Sequence, residues 1–144
     1  FYPLEAVLTW IFITFAPDFY ATVMNYLLTI GLLVCSNIFM IFAWYGHLKL
    51  AENSWLSKLP LFGVIVFSWL IAFFEYCFQV PANRIGFDGN GGAFSLVQLK
   101  VIQEVITLVV FVVFSSVAFQ TPLKMNHLVG FVFLVLAVYF IFKG

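Results

Sequence analysis

The chain has 144 residues, of which 65% are hydrophobic and only 8% charged, and its mean hydropathy is +1.13. A soluble domain of this size has no interior large enough to hide that apolar content, so the composition identifies an integral membrane protein. Six basic residues balance six acidic ones, so neither nucleic acid nor an anionic membrane surface is an obvious partner.

Residues 1–16 are apolar, with Glu5, Thr9 and Thr14 interspersed, and Pro17-Asp18 closes them off. Phe1 in place of an initiator methionine leads us to expect a processed or truncated chain. No lysine or arginine precedes Lys49, so the segment is not a signal peptide with a basic n-region. At about 1.5 Å per residue it falls short of a ~30 Å hydrocarbon core. An interfacial or re-entrant helix is the better reading, with a cut-off piece of a longer span as the alternative. Asp18 is placed to cap the next helix, whose apolar run extends to about Leu48. That run exceeds what a bilayer requires, and the helix is expected to tilt or project. Trp44, Tyr45 and His47 read as an interfacial belt at its end.

A short polar loop, His47 to Lys58, leads to Pro60, in the first turn of the second span, where a missing N–H costs little. That span is expected to end at Val80, because Pro81 disfavours helix in the residue before it. The connection from Pro81 to Phe94 holds four of the nine glycines. It lacks the strand–loop–helix setting and the lysine of a phosphate-cradling loop, and reads as a flexible turn. Ser95 followed by Gln98 fits a capping box that starts the third span. Thr121-Pro122 breaks the chain before the fourth, where Gly130 and Ala137 offer a small-residue face. The four spans are predicted near 20–48, 60–80, 96–119 and 123–142. Cys35 and Cys77 lie inside apolar runs and read as small buried hydrophobes.

In the second span, Ser68, Ala72, Glu75 and Gln79 fall on one helical stripe, while Trp69, Phe73 and Tyr76 fall on another face. The first stripe suits protein or water and the second suits lipid. A carboxylate at membrane depth is costly and marks Glu75 as a candidate functional residue. In the third span Lys100, Glu104, Thr107, Phe111 and Ala118 share a face, with Gln103 at its border. Lys100 and Glu104, four residues apart, can neutralise each other. Alternating spans place Glu75, Gln79, Asn83, Arg84, Lys100, Gln103 and Glu104 at one level of the bundle. Asn37, on the first span, shares a face with Trp44. Two readings of this cluster stay open. It is a salt-bridge network that locks the second and third spans together, or a polar vestibule in which one carboxylate exchanges a proton or holds a cation.

Orientation is balanced, with Lys49, Lys58 and Lys124 on one side against Arg84, Lys100 and Lys143 on the other. His47 and His127 near span ends read as belt residues. No Cys/His spacing suggests a metal site and no serine sits in a nucleophile elbow, so no enzyme, metal or cofactor is expected. The twenty phenylalanines suit lipid-facing and inter-helix packing, and a pigment or quinone pocket would use them too.

Four runs carry a resemblance: Ser36 to Lys49 (SNIFMIFAWYGHLK), Ala72 to Gly86 (AFFEYCFQVPANRIG), Gln98 to Thr107 (QLKVIQEVIT) and Asn126 to Gly130 (NHLVG). In this order they resemble the signature runs of a small uncharacterised four-helix family of the drug/metabolite transporter superfamily, distantly similar to the small multidrug resistance proteins. The resemblance covers roughly Met24 to the end. It implies an all-α, four-helix transmembrane bundle, dimerisation and a transport role. The multidrug proteins rely on a glutamate in their first helix, and here none lies between Asp18 and Glu52. Proton-coupled drug export therefore does not transfer by analogy. Residues 1–23 fall outside the family-like part and are expected to form an added docking element, leaving residues 24–144 as the four-helix domain. Two functions are expected as alternatives. One is a transporter of a small solute or cation with an intramembrane carboxylate as coupling group, acting as a homodimer in the bilayer. The other is a non-transporting accessory subunit of a larger membrane complex. The sequence leaves open a bacterial inner membrane or an organellar one.

Overall fold

The structure, a computed structural model, describes residues 4–52, 58–122 and 124–143, with side chains described from Phe19 onward. The first helix, α1, runs unbroken over Leu4–Ile41. The turn expected at Pro17 is absent, and Asp18 is inside a helix rather than at its start. A proline removes one ladder hydrogen bond, but breaking a helix in an apolar setting orphans several more backbone groups, so continuing through it is the smaller loss. At 38 residues, α1 is about 57 Å long, nearly twice the hydrocarbon thickness.

A π-helical segment, Phe42–Gly46, continues α1 and passes into α2, His47–Leu50. Its buried members are Ala43 and Gly46, two small residues one turn apart. Within these pieces the stretch Phe19–Leu50 is the first of four helices, among the described residues, long and apolar enough to cross a membrane. The expected loop from His47 to Lys58 lies partly on residues 53–57, outside the described residues.

The second span, α3, is Leu61–Gly86 and contains Pro81. The predicted end at Val80 is thus too early by a turn and a half, for the same reason that α1 passes Pro17. The chain then turns through a 3-10 segment, Asp88–Asn90, and this connection is hydrogen bonded rather than loose. Asp88 N–H donates to Phe94 O at 2.8 Å, Phe94 N–H to Gly86 O at 2.9 Å, and Gly92 N–H to Phe87 O at 2.9 Å. Gly91 takes φ +81°, a conformation that glycine adopts without strain.

Helix α4, Leu96–Ala118, begins with the expected capping box. Gln98 N–H donates to Ser95 Oγ at 3.3 Å and Ser95 N–H donates to Gln98 Oε1 at 2.9 Å. Helix α5, Met125–Lys143, is the fourth span, and Leu123, its predicted first residue, lies outside the described residues.

Helix α1 is the centre of the bundle. The antiparallel α3 and the parallel α4 pack on it, while α5 packs on α4. The largest fully buried side chains among the described residues, Thr29, Leu33, Ser36, Asn37 and Ile41, all belong to α1. Aromatic rings seal both seams. Phe39 stacks on Phe74 and Phe78 with centroids 5.9 and 5.5 Å apart, and Phe42 meets Phe114 edge-on at 5.2 Å. Trp69, Phe73 and Tyr76 point outward as expected of a lipid face. Cys35 and Cys77 also point outward, contrary to the buried reading. Helix α1 contacts its neighbours through Leu33, Ser36, Asn37 and Met40, and Cys35 falls between those stripes.

Candidate functional site

Between α1 and α3 the spacing of apolar and small polar residues produces a zipper. Ser36 Oγ donates to Gln79 Oε1 at 2.7 Å in the buried interior, and Gln79 Nε2 donates to Asn83 Oδ1 at 3.3 Å. One end of the seam is closed by Thr29 against Gly86, where a β-carbon on Gly86 would fall 2.6 Å from Thr29 Cγ2. The Thr29–Gly86 and Ser36–Gln79 pairs fix an antiparallel register that sets Glu75 one turn further along, level with Met40. Glu75 is half-buried there, and among the described residues it has no ion-pair partner.

Between α1 and α4 the key residue is Asn37, fully buried. Its Nδ2 donates to Leu33 O at 2.8 Å, and its Oδ1 accepts from Thr107 Oγ1. The Thr107 hydroxyl also lies 2.8 Å from Gln103 O. One turn before Thr107, Glu104 pairs with Lys100 at 2.6 Å, with both side chains more than half exposed.

The eight polar residues singled out in the sequence therefore separate. Gln79 and Asn83 belong to the α1–α3 zipper and Asn37 to the α1–α4 contact. Lys100 and Glu104 form a pair on the outer face of α4. Asn83, Arg84, Lys100 and Gln103 line a common cavity of about 570 Å³ where α3 ends and α4 begins. Glu75 is in none of these groups.

Sequence reasoning assigned no site role to Ser36, Thr107, Trp44 and Tyr45. Tyr45, in the π-helical segment, meets Phe111 of α4 with rings 5.2 Å apart, and Trp44 beside it is exposed. A cavity of about 230 Å³ is lined by Glu104, Thr107, Trp44, Tyr45 and Phe111. Through the shared residues Tyr45, Leu108, Phe111 and Leu134 it adjoins a wider cavity of about 870 Å³ between α4 and α5. The wider space reaches Thr121, Asn126 and His127 at the α4–α5 turn. Chemically, a carboxylate beside aromatic faces can hold a cation, because ring quadrupole and anion attract it together. No group of His, Cys, Asp and Glu suited to a metal ion occurs among the described residues.

A family profile described as "Putative member of DMT superfamily (DUF486)" matches residues 29–142. No curated protein and no solved structure matches the chain.

Proposed function

The chain belongs to that family, within the drug/metabolite transporter superfamily, and on this premise of a transporter-type membrane protein we propose that it moves a small organic cation, with Glu104 as the coupling carboxylate. The reading rests on one observation: Glu104 lines a cavity together with Trp44, Tyr45 and Phe111. Glu75, the other intramembrane acid, lines neither this cavity nor its wider neighbour. Glu104 already holds a cation, the Lys100 ammonium at 2.6 Å. A substrate ammonium entering the aromatic cavity would compete with Lys100 for the same carboxylate, and that competition supplies a switch between empty and loaded states.

The test is uptake of choline and related small ammonium ions into proteoliposomes. Glu104→Gln is expected to abolish uptake and Glu75→Gln to spare it. Uptake that survives Glu104→Gln, or a chain that moves none of these ions, overturns the reading.

A second reading, an accessory subunit of a larger assembly, is favoured by the length of α1. Every residue from Phe19 to Leu28 is exposed, and the helix continues toward Leu4 beyond these residues. A partner subunit would cover that surface.

A further inference from the structure

We propose that the cavity between the end of α3 and the start of α4 binds a phosphate-bearing anion, supplied by a lipid headgroup or by a soluble phosphate. This site shares no lining residue with the Glu104 cavity, though the Lys100–Glu104 pair links the two, and it does not depend on the transport reading.

The cavity measures about 570 Å³, and the charged side chains in its lining are Arg84 and Lys100, both basic. Asn83, Asn90 and Gln103 add amide groups. The acids nearest in sequence are not in that lining: Glu104 lines the aromatic cavity, and Asp88 is exposed. The chain is neutral as a whole, yet this wall is not.

The hydrogen-bond inventory points the same way. Arg84 takes part in no ion pair among the described residues. Lys100 contacts Glu104 at 2.6 Å, but an ammonium carries three donors, and one contact leaves capacity for a second acceptor. Asn83 Oδ1 is occupied by Gln79 Nε2, so the amide offers its NH₂ to the cavity. The carbonyls at the end of α3 would repel an anion, and two of them are taken up. Asn83 O accepts from Phe87 N–H at 3.0 Å, and Arg84 O accepts from Asn90 Nδ2 at 3.2 Å. What remains is a guanidinium fork, an ammonium and amide donors. That set matches phosphate oxygens, which guanidinium binds in bidentate fashion.

Depth agrees with this chemistry. Arg84 is two residues from the end of α3 and Lys100 four from the start of α4, which places each within about 6 Å of a helix end. Bilayer phosphates lie at that level, and basic pockets between spans are where headgroups bind.

The test uses the full-length chain, stripped of lipid in detergent and returned to nanodiscs of phosphatidylcholine with or without phosphatidylglycerol. Native mass spectrometry then counts retained lipid. Phosphatidylglycerol should be retained over phosphatidylcholine, and Arg84→Gln should weaken that preference roughly fivefold, as loss of one interfacial cation does. Lys100→Gln should weaken it too, whereas Lys124→Gln, beside the α4–α5 turn, should not. In parallel, inorganic phosphate is titrated into the phosphatidylcholine sample and thermal stability followed. Stabilisation that depends on Arg84 identifies a soluble source, and retained phosphatidylglycerol that depends on Arg84 identifies a lipid. If neither probe binds in an Arg84-dependent way, the site does not exist.

Discussion

Thr107 on α4 donates its hydroxyl hydrogen to the Oδ1 of Asn37, a fully buried residue of α1. The two ends of this contact are unequally insured. Thr107 can turn to Gln103 O on its own helix, whereas Asn37 Oδ1 has no other donor among the described residues. Removing the threonine hydroxyl therefore strands an acceptor inside the bundle. Thr107→Val should lower stability by about 0.5–2 kcal/mol, while Thr107→Ser, which keeps the donor, should cost less. Unfolding in mixed detergent checks the order, and equal effects would show that the hydroxyl is not what matters.

Gly86 sits where three helices converge. A β-carbon there would lie 2.6 Å from Thr29 Cγ2 and 2.9 Å from Leu99 Cδ2, both in the interior. Gly86→Ala should destabilise by about 1–3 kcal/mol through overpacking. Adding Thr29→Ser removes the nearer methyl and should restore part of the loss. A double variant no better than Gly86→Ala alone would place the strain elsewhere, and a melting series of the three variants decides.

These two contacts also show what the sequence conveys and what it withholds. Ser95 and Gln98 are legible because a capping box is local, needing only the right residues three apart. The four spans are legible because apolar run length is set by bilayer thickness. Pro17 and Pro81 mislead because rules drawn from helices in water understate how strongly a membrane penalises an interrupted ladder. Ser36, Thr107 and Gly86 take their packing roles only from the helix pairing, because small residues are common in spans and one sequence does not show which of them meet. The sequence shows Trp44 and Tyr45 near a span end, but not that they line one cavity with Glu104, because that requires the packing of α4. Glu75 and Gln79 share a stripe, but of the two only Gln79 meets a hydroxyl on α1, and what faces each position along a seam is set by the partner helix.

Topology follows from the alternation of α1, α3, α4 and α5. Ala51 and Lys124 should be labelled from one side of the membrane and Gly91 from the other, after replacement of the outward-facing Cys35 and Cys77. Single-cysteine variants with an impermeant thiol reagent read this directly. Labels on opposite sides for Ala51 and Lys124 would require an odd number of spans between them.

The aromatic wall of the Glu104 cavity makes a graded prediction under the transport reading. A cation held over an aromatic face gains about 0.5–2 kcal/mol. Trp44→Ala should therefore raise the KM for the transported cation by roughly two- to thirtyfold, and Trp44→Phe by less. Uptake kinetics that respond equally to both would assign Trp44 a packing role. Glu104→Gln should leave the melting point nearly unchanged, since a pair as exposed as Lys100–Glu104 contributes below about 1 kcal/mol.

Deletion of residues 1–17 tests whether the bundle is built by the part of α1 from Phe19 onward. Among the described residues, the α1 contacts that fix the fold are Tyr26 against Phe94 at 4.9 Å, Thr29 against Gly86, Ser36 with Gln79, and Asn37 with Thr107. The truncated chain keeps Phe19–Leu50, 32 residues of apolar helix, or about 48 Å, still more than a bilayer core requires. It should insert, and it should melt within about 1 kcal/mol of the full chain, the scale of an ordinary surface change. Its effect on association is where the two functional readings part. An accessory subunit docked through the extended helix would lose its larger assembly on deletion, as seen by native mass analysis of detergent extracts, while the bundle stayed intact. A transporter acting through Glu104 would keep its oligomeric state and its uptake. Loss of folding on deletion would contradict both, and would mean that the first turns of α1 are covered within the bundle.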